Sequence, residues 1–285
     1  MNERPVEPEV APEQEPVAET AVPPALLTEA VAATVAAPAA ALPTPAPTVR
    51  FRVRRRRPAD RDGRWQQFEW TSRPGATVLD ALLDIRREQD PSLVVRHSCM
   101  HGSCGACGVR VNGREALACD MPVADVRGSA ITVEPLRGQP LVADLATDMA
   151  DFHARMEPVG LPVVRASETT TRTTPPEGVR SFTRFEDCTE CGLCLSACPV
   201  AHADHSYIGP AALAAAARVV DEPRGRELRS LFALAALPDS VWRCTDAMQC
   251  SVVCPEAVDP ARSLLRLRRR IAIDAVKSLF RRGAR

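Results

Sequence analysis

The sequence predicts an α+β chain, a small strand-and-helix domain followed by a mainly helical one. Three observations predict it. VRFRV and WQQFEW each alternate as a half-buried strand does, and both precede the amphipathic stretch VLDALLDIRRE. After residue 181 the apolar spacing becomes helical. Residues 1–48 are rich in Ala, Pro and Glu and lack any aromatic residue, so they bury too little to offset the entropy of ordering and are expected to form a disordered extension. The expected organisation is an extension over 1–48, a strand-rich domain over 49–150, a connecting segment over 151–180 and an α-helical domain over 181–285.

Order is expected to begin near Val49. The turn ADRDGR makes VRFRV and WQQFEW a hairpin, and Pro74-Gly75-Ala76-Thr77 leads into a helix with Val78, Leu82 and Ile85 on one face. VRVNGREALAC reads as a second hairpin turning at Asn112-Gly113. SETTTRTTPPEG, Ser167 to Gly178, reads as a linker or surface loop. Pro210 suits a first helical position ahead of AALAAAARVV, and Pro223 is expected to end that run. Helices are also expected over about Gly225 to Ala236 and from about Pro260 toward Phe280, the last with Leu264, Leu267, Ile271 and Ala275 on one side.

Several function classes are disfavoured. A formal net charge of zero gives no global case for nucleic-acid binding. Ala25 to Pro43 is broken by Glu29 and Pro38 and is too small-residue-rich for a membrane span. The acidic start, with six glutamates in the first twenty residues, is unlike a signal peptide. Eleven cysteines are an odd number, so internal disulfides would leave a thiol over, and a reducing cytoplasm with metal binding is the expectation.

The cysteines fall into three constellations. Cys99, Cys104, Cys107 and Cys119 follow Cys-x4-Cys-x2-Cys with a distant fourth, the plant-type [2Fe-2S] spacing. Gly102, Gly105 and Gly108 suit a loop that turns backbone N–H groups toward sulfides; a zinc knuckle or four unrelated buried thiols are the alternatives. CTECGLCLSACP carries Cys188, Cys191, Cys194 and Cys198-Pro199 at the bacterial ferredoxin spacing, in which the fourth cysteine ligates the other cluster. CTDAMQCSVVCP lays Cys244, Cys250 and Cys254-Pro255 on the first, third and fourth positions of that motif and leaves Ala247 in the second, a vacant ligand slot. Crossing the fourth cysteines assigns Cys188, Cys191, Cys194 and Cys254 to a [4Fe-4S] cluster, and Cys198, Cys244 and Cys250 to a [3Fe-4S] cluster. A four-iron cluster whose odd iron holds water or the Asp246 carboxylate is the alternative for the last.

Together RHSCMHGSCGAC, CTECGLCLSACP, YIGPAAL, WRCTDAMQCSVVCP and VDPAR resemble the iron-sulfur subunit of succinate dehydrogenase and fumarate reductase, over about Val49 to Arg270. The resemblance implies a β-grasp [2Fe-2S] ferredoxin domain followed by an all-α ferredoxin domain holding two clusters. It implies an electron-transfer role from [2Fe-2S] through [4Fe-4S] to [3Fe-4S], between an FAD-containing partner flavoprotein that interconverts succinate and fumarate and a quinone beside membrane anchor subunits, with or without haem. No acid–base catalytic residue is then expected in this chain. It further implies a peripheral place on the cytoplasmic face of the bacterial inner membrane. The quinone-proximal positions carried over are Pro199, Val200, Thr245 and Arg268. Ubiquinone-type members usually carry a tryptophan after the Cys-Pro; PVAHADHSYIGP has none, which tilts toward menaquinone. His202 and His205 are candidates for proton relay or plain solvated histidines. The basic run Arg262, Arg266, Arg268, Arg269, Arg270, Lys277, Arg281 and Arg282 suits anionic headgroups, an acidic anchor patch or bulk solvent alike. A free-standing electron carrier, or a related subunit with a non-quinone acceptor, are the competing functions.

Overall fold

The computed structural model describes residues 47–159, 187–221 and 229–283. The predicted extension up to Ala46, the Ser167–Gly178 loop and Pro223 lie outside the described residues.

Strand β1 (Thr48–Arg55) pairs antiparallel with β2 (Arg64–Thr71), so the predicted hairpin forms, one residue earlier than expected. Phe51 and Val53 face inward and are fully buried, each contributing about 1.5–3 kcal/mol. Helix α1 (Val78–Glu88) lies over this face, started by a capping box in which Thr77 accepts from the Asp80 N–H and Asp80 accepts from the Thr77 N–H. Strands β3 (Gly108–Val111) and β4 (Arg114–Leu117) make the second hairpin, and both turn residues, Asn112 and Gly113, have the positive φ that its two-residue turn requires.

Three strands are additional to the sequence reading. β5 (Ile131–Glu134) runs parallel to β1, with Phe51 opposite Ile131, and completes a mixed sheet of order β2-β1-β5-β3-β4. β6 (Leu141–Ala143) and β7 (Ala146–Thr147) form a separate ribbon. The corner between these two strands is fastened by Asp144, 1% exposed, which accepts from the N–H groups of Arg56 and Val94. Arg55 falls on the inward phase of β1 and is itself buried; its guanidinium meets Asp144 at 3.1 Å and Asp90 at 2.6 Å. A buried charge survives here because it has two carboxylate partners.

The second half is helical, as expected. Helix α2 (Ala150–Met156) forms in the stretch expected to be a connecting segment, and α3 (Leu193–Ala197), α4 (Pro199–Ala203), α5 (Pro210–Val220), α6 (Arg229–Ala235), α7 (Gln249–Val252) and α8 (Pro260–Gly283) follow in order. α5 is rich in alanine, and every residue from Pro210 to Val219 is buried, because small side chains let neighbouring helices close on it. Its run ends at Val220, before Pro223. α8 buries Leu264, Leu267 and Ile271 against α5 as predicted, but Ala275 on the same side is exposed, since the helix has passed beyond its neighbours. Leu193, Ala197 and Val253 of the helical half enter the core of the strand domain, so the two halves share packing. At that seam Ser196 donates to buried Glu115 at 3.0 Å and accepts from the Arg137 N–H at 2.9 Å.

Candidate metal centres

The first cysteine group combines a rigid side and a loop side. Cys107 precedes β3 and Cys119 follows β4; their sulfurs lie 3.2 Å apart, beyond disulfide length, and the Cys119 N–H points at the Cys107 sulfur at 3.4 Å. α1 holds this side, because the Leu79 N–H donates to Ala118 O and the Val78 N–H to Met121 O, each at 2.8 Å. On the loop side the Cys99 N–H reaches the Cys104 sulfur at 3.4 Å and the Gly102 N–H the Cys119 sulfur at 3.2 Å. Met100, Gly102 and Gly105 all have positive φ, which turns these amides inward. Burial pushes the Cys107 thiol up to about 12, whereas the His101 N–H and then the Cys104 thiol draw Cys99 down to about 6.

The second group surrounds one cleft. Cys188, Cys191, Cys194 and the distant Cys254 line it together, with Thr189, Gly192, Leu193 and Pro255. Burial raises all three thiols of the CTECGLC run, Cys188 to about 11, and the neighbouring thiols push Cys194 further. Crowded thiols in so dry a place ionise only if a cation compensates them, which is what iron does for thiolates. The donor set therefore fits a cluster.

Cys250 brings the third group together. Burial, and then the neighbouring Cys198 and Cys244, raise its thiol to about 11. Cys194 feels Cys250 in turn, so the second and third groups are neighbours. The loop from Cys244 to Cys250 carries two left-handed residues, Asp246 and Met248, and leaves Thr245 and Ala247 exposed. Arg268 fastens this loop from α8: it donates to Val241 O at 2.9 Å and Cys244 O at 2.7 Å and pairs with Asp246 at 3.1 Å. Pro199 is exposed and Val200 half-buried at the start of α4. His202 has a buried Nε2 without a protein partner, and burial lowers its pKa; His205 is exposed.

The VDPAR stretch has a mechanical part. Asp259 accepts from the Arg262 N–H at the start of α8 and from the Ser251 hydroxyl of α7 at 2.6 Å, with Pro260 next in the chain. α7 holds Cys250, so the cap aligns a ligand candidate with the helix behind it. Asp259→Ala is expected to cost about 1–2 kcal/mol, read as a lower denaturant midpoint with retained helix content.

One contact was invisible in the sequence. A Cβ on Gly105, whose φ is +69°, would lie 2.8 Å from Cys191 Cβ, 2.9 Å from Cys191 Cα and 2.9 Å from Thr189 O. The first cysteine loop thus rests on the second. The sequence signal was only a glycine beside a ligand; its partner lies more than eighty residues away.

A family model described as a 2Fe-2S iron-sulfur cluster binding domain matches residues 50–154, and one described as a 4Fe-4S dicluster domain matches residues 184–258. The fumarate reductase iron-sulfur subunit of Mycobacterium tuberculosis is 37% identical over 208 residues, 71% of this chain and 84% of that protein. The fumarate reductase iron-sulfur subunit of Escherichia coli O157:H7 is 34% identical over 191 residues, 66% of this chain and 78% of that protein. Among solved structures, a chain of the Mycobacterium smegmatis Sdh1 complex in the apo form superimposes with a TM-score of 0.71 at 25% identity, covering 80% of this chain and 96% of the other.

Proposed function

Because this chain belongs to the family of succinate dehydrogenase and fumarate reductase iron-sulfur subunits, the electron-transfer subunits of those complexes, we propose how its cysteines divide that work. Cys99, Cys104, Cys107 and Cys119 hold the [2Fe-2S] cluster; Cys188, Cys191, Cys194 and Cys254 hold the [4Fe-4S] cluster; Cys198, Cys244 and Cys250 hold a [3Fe-4S] cluster. The clusters supply one-electron carriers. The chain supplies sulfur ligands, inward-turned amides and dry packing. One feature supports the order: the second group adjoins both others, the Gly105 loop lying against Cys191 and the Cys250 thiol acting on Cys194.

The two ends of that order set the partners. An FAD-containing flavoprotein meets the [2Fe-2S] end, and a quinone and anchor subunits meet the end at Thr245 and Ala247. No helix among the described residues is long and apolar enough to cross a membrane, so anchor chains would provide the attachment, on the cytoplasmic face of the inner membrane. The loop after Cys198 lacks tryptophan, which supports menaquinone as the acceptor or donor. Arg268 spends its guanidinium on Val241 O, Cys244 O and Asp246, so its part at the quinone end is to set the loop's shape more than to offer a free charge.

The test is isolation of the native complex followed by electron paramagnetic resonance. A flavoprotein should co-purify, and succinate should reduce the [2Fe-2S] and three-iron signals only with that partner present. Reduction of the isolated chain by succinate, or a chain stable and active as a lone monomer, would favour a free carrier instead.

A further inference from the structure

Thr189 stands between Cys188 and Cys191 and is used by nothing described so far. Its hydroxyl oxygen is sealed from solvent and has no hydrogen-bond partner in the protein. The residue lines the cleft that Cys188, Cys191, Cys194 and Cys254 share, and its carbonyl is fixed against Gly105 of the first cysteine loop. An orphaned hydroxyl in a dry site is costly unless a group other than the protein accepts its hydrogen bond. The acceptors such a cleft offers are sulfur atoms.

We propose that the Thr189 hydroxyl donates a hydrogen bond to sulfur at the [4Fe-4S] site, at Cys191 or a cluster sulfide, and thereby raises the reduction potential of that cluster. The proposal rests on the ligand set given above. Reduction adds negative charge that the sulfurs share, and a hydrogen bond to a more negative acceptor is stronger. The reduced state therefore gains more from the hydroxyl than the oxidised one does. Thr189 is a positioning residue, touching no substrate. Its backbone is pinned at the contact between the first and second groups, so it tunes the middle carrier.

The experiment is an electron paramagnetic resonance redox titration of the intact complex carrying Thr189→Val, which keeps the shape and removes the O–H. The [4Fe-4S] midpoint should fall by an amount equivalent to about a tenfold change in the reduced-to-oxidised ratio, about 59 mV for one electron, with the other two midpoints unchanged. Thr189→Ser, which keeps the hydroxyl, should titrate as the parent does. If valine blocks cluster insertion, Thr189→Ala gives the same reading without its bulk. An unshifted midpoint in a variant with an intact [4Fe-4S] signal, or a serine variant shifted as far as valine, overturns the proposal. Absence of any [4Fe-4S] signal from the parent complex overturns the ligand assignment, and this inference with it.

Discussion

Gly105→Ala is expected to lower the chain's stability by about 2–5 kcal/mol, a large share of a typical domain's 5–15 kcal/mol. Two effects combine. A φ of +69° costs a non-glycine residue about 1–2 kcal/mol. The new Cβ would also meet Cys191 Cβ at 2.8 Å and two backbone-borne atoms, Cys191 Cα and Thr189 O, at 2.9 Å. These atoms cannot rotate away, and overpacking of that kind costs about 1–3 kcal/mol more. Relief requires the two cysteine loops to separate, so electron transfer between the first and second groups should slow as well. Gly75→Ala is the control: φ is +74° and nothing lies within 4 Å of its Cβ, so it carries the backbone cost alone. Denaturant midpoints and iron content of the two variants decide the matter. Equal midpoints would mean that the loops do not rest on each other.

That contact also shows where sequence reading stops. The β1–β2 hairpin, the Asn112-Gly113 turn, α1, α5 and α8 were legible because each depends on local spacing or local backbone preference. β5 was not: Ile131–Glu134 is four residues long, and its parallel partner β1 is some eighty residues earlier. The inward turn of Arg55 follows from strand alternation, yet its partners Asp90 and Asp144 come from two distant loops. Ala275 continues the apolar face of α8 into solvent, because periodicity gives a face and not the length of what covers it. At the centres, cysteine identity and spacing are local features of the sequence, and the proposed ligand sets rest on them. What the spacing withheld was everything that joins one group to the next: Gly105 against Cys191, Ser196 on Glu115, Arg268 across the Cys244 loop.

The Arg268 contacts bear on position 247, the proposed vacant ligand slot, where the second large effect is expected. If Cys198, Cys244 and Cys250 hold a [3Fe-4S] cluster as proposed, Ala247→Cys should replace it by a four-iron one of lower potential. The parent side chain is exposed and flanked by the left-handed residues Asp246 and Met248, so a sulfur added there meets no packed core and needs no new backbone conformation. The neighbouring carboxylate is a poor substitute ligand, because Asp246 already pairs with Arg268 at 3.1 Å and lies 3.5 Å from the Cys244 sulfur. In the air-oxidised variant the three-iron ferric signal should vanish, and a four-iron signal should appear on reduction. Quinone reductase activity should fall, because an electron leaving the [4Fe-4S] centre would then move to a site with less driving force. Ala247→Ser, close in size to cysteine but without a thiolate, should keep the three-iron signal. If the cysteine variant retains that signal undiminished, the slot is not where the missing iron belongs. If the serine variant also loses it, bulk in the loop rather than ligation is responsible. Only the loss in cysteine alone makes Ala247 the residue that decides which of two similarly spaced cysteine sets carries three irons.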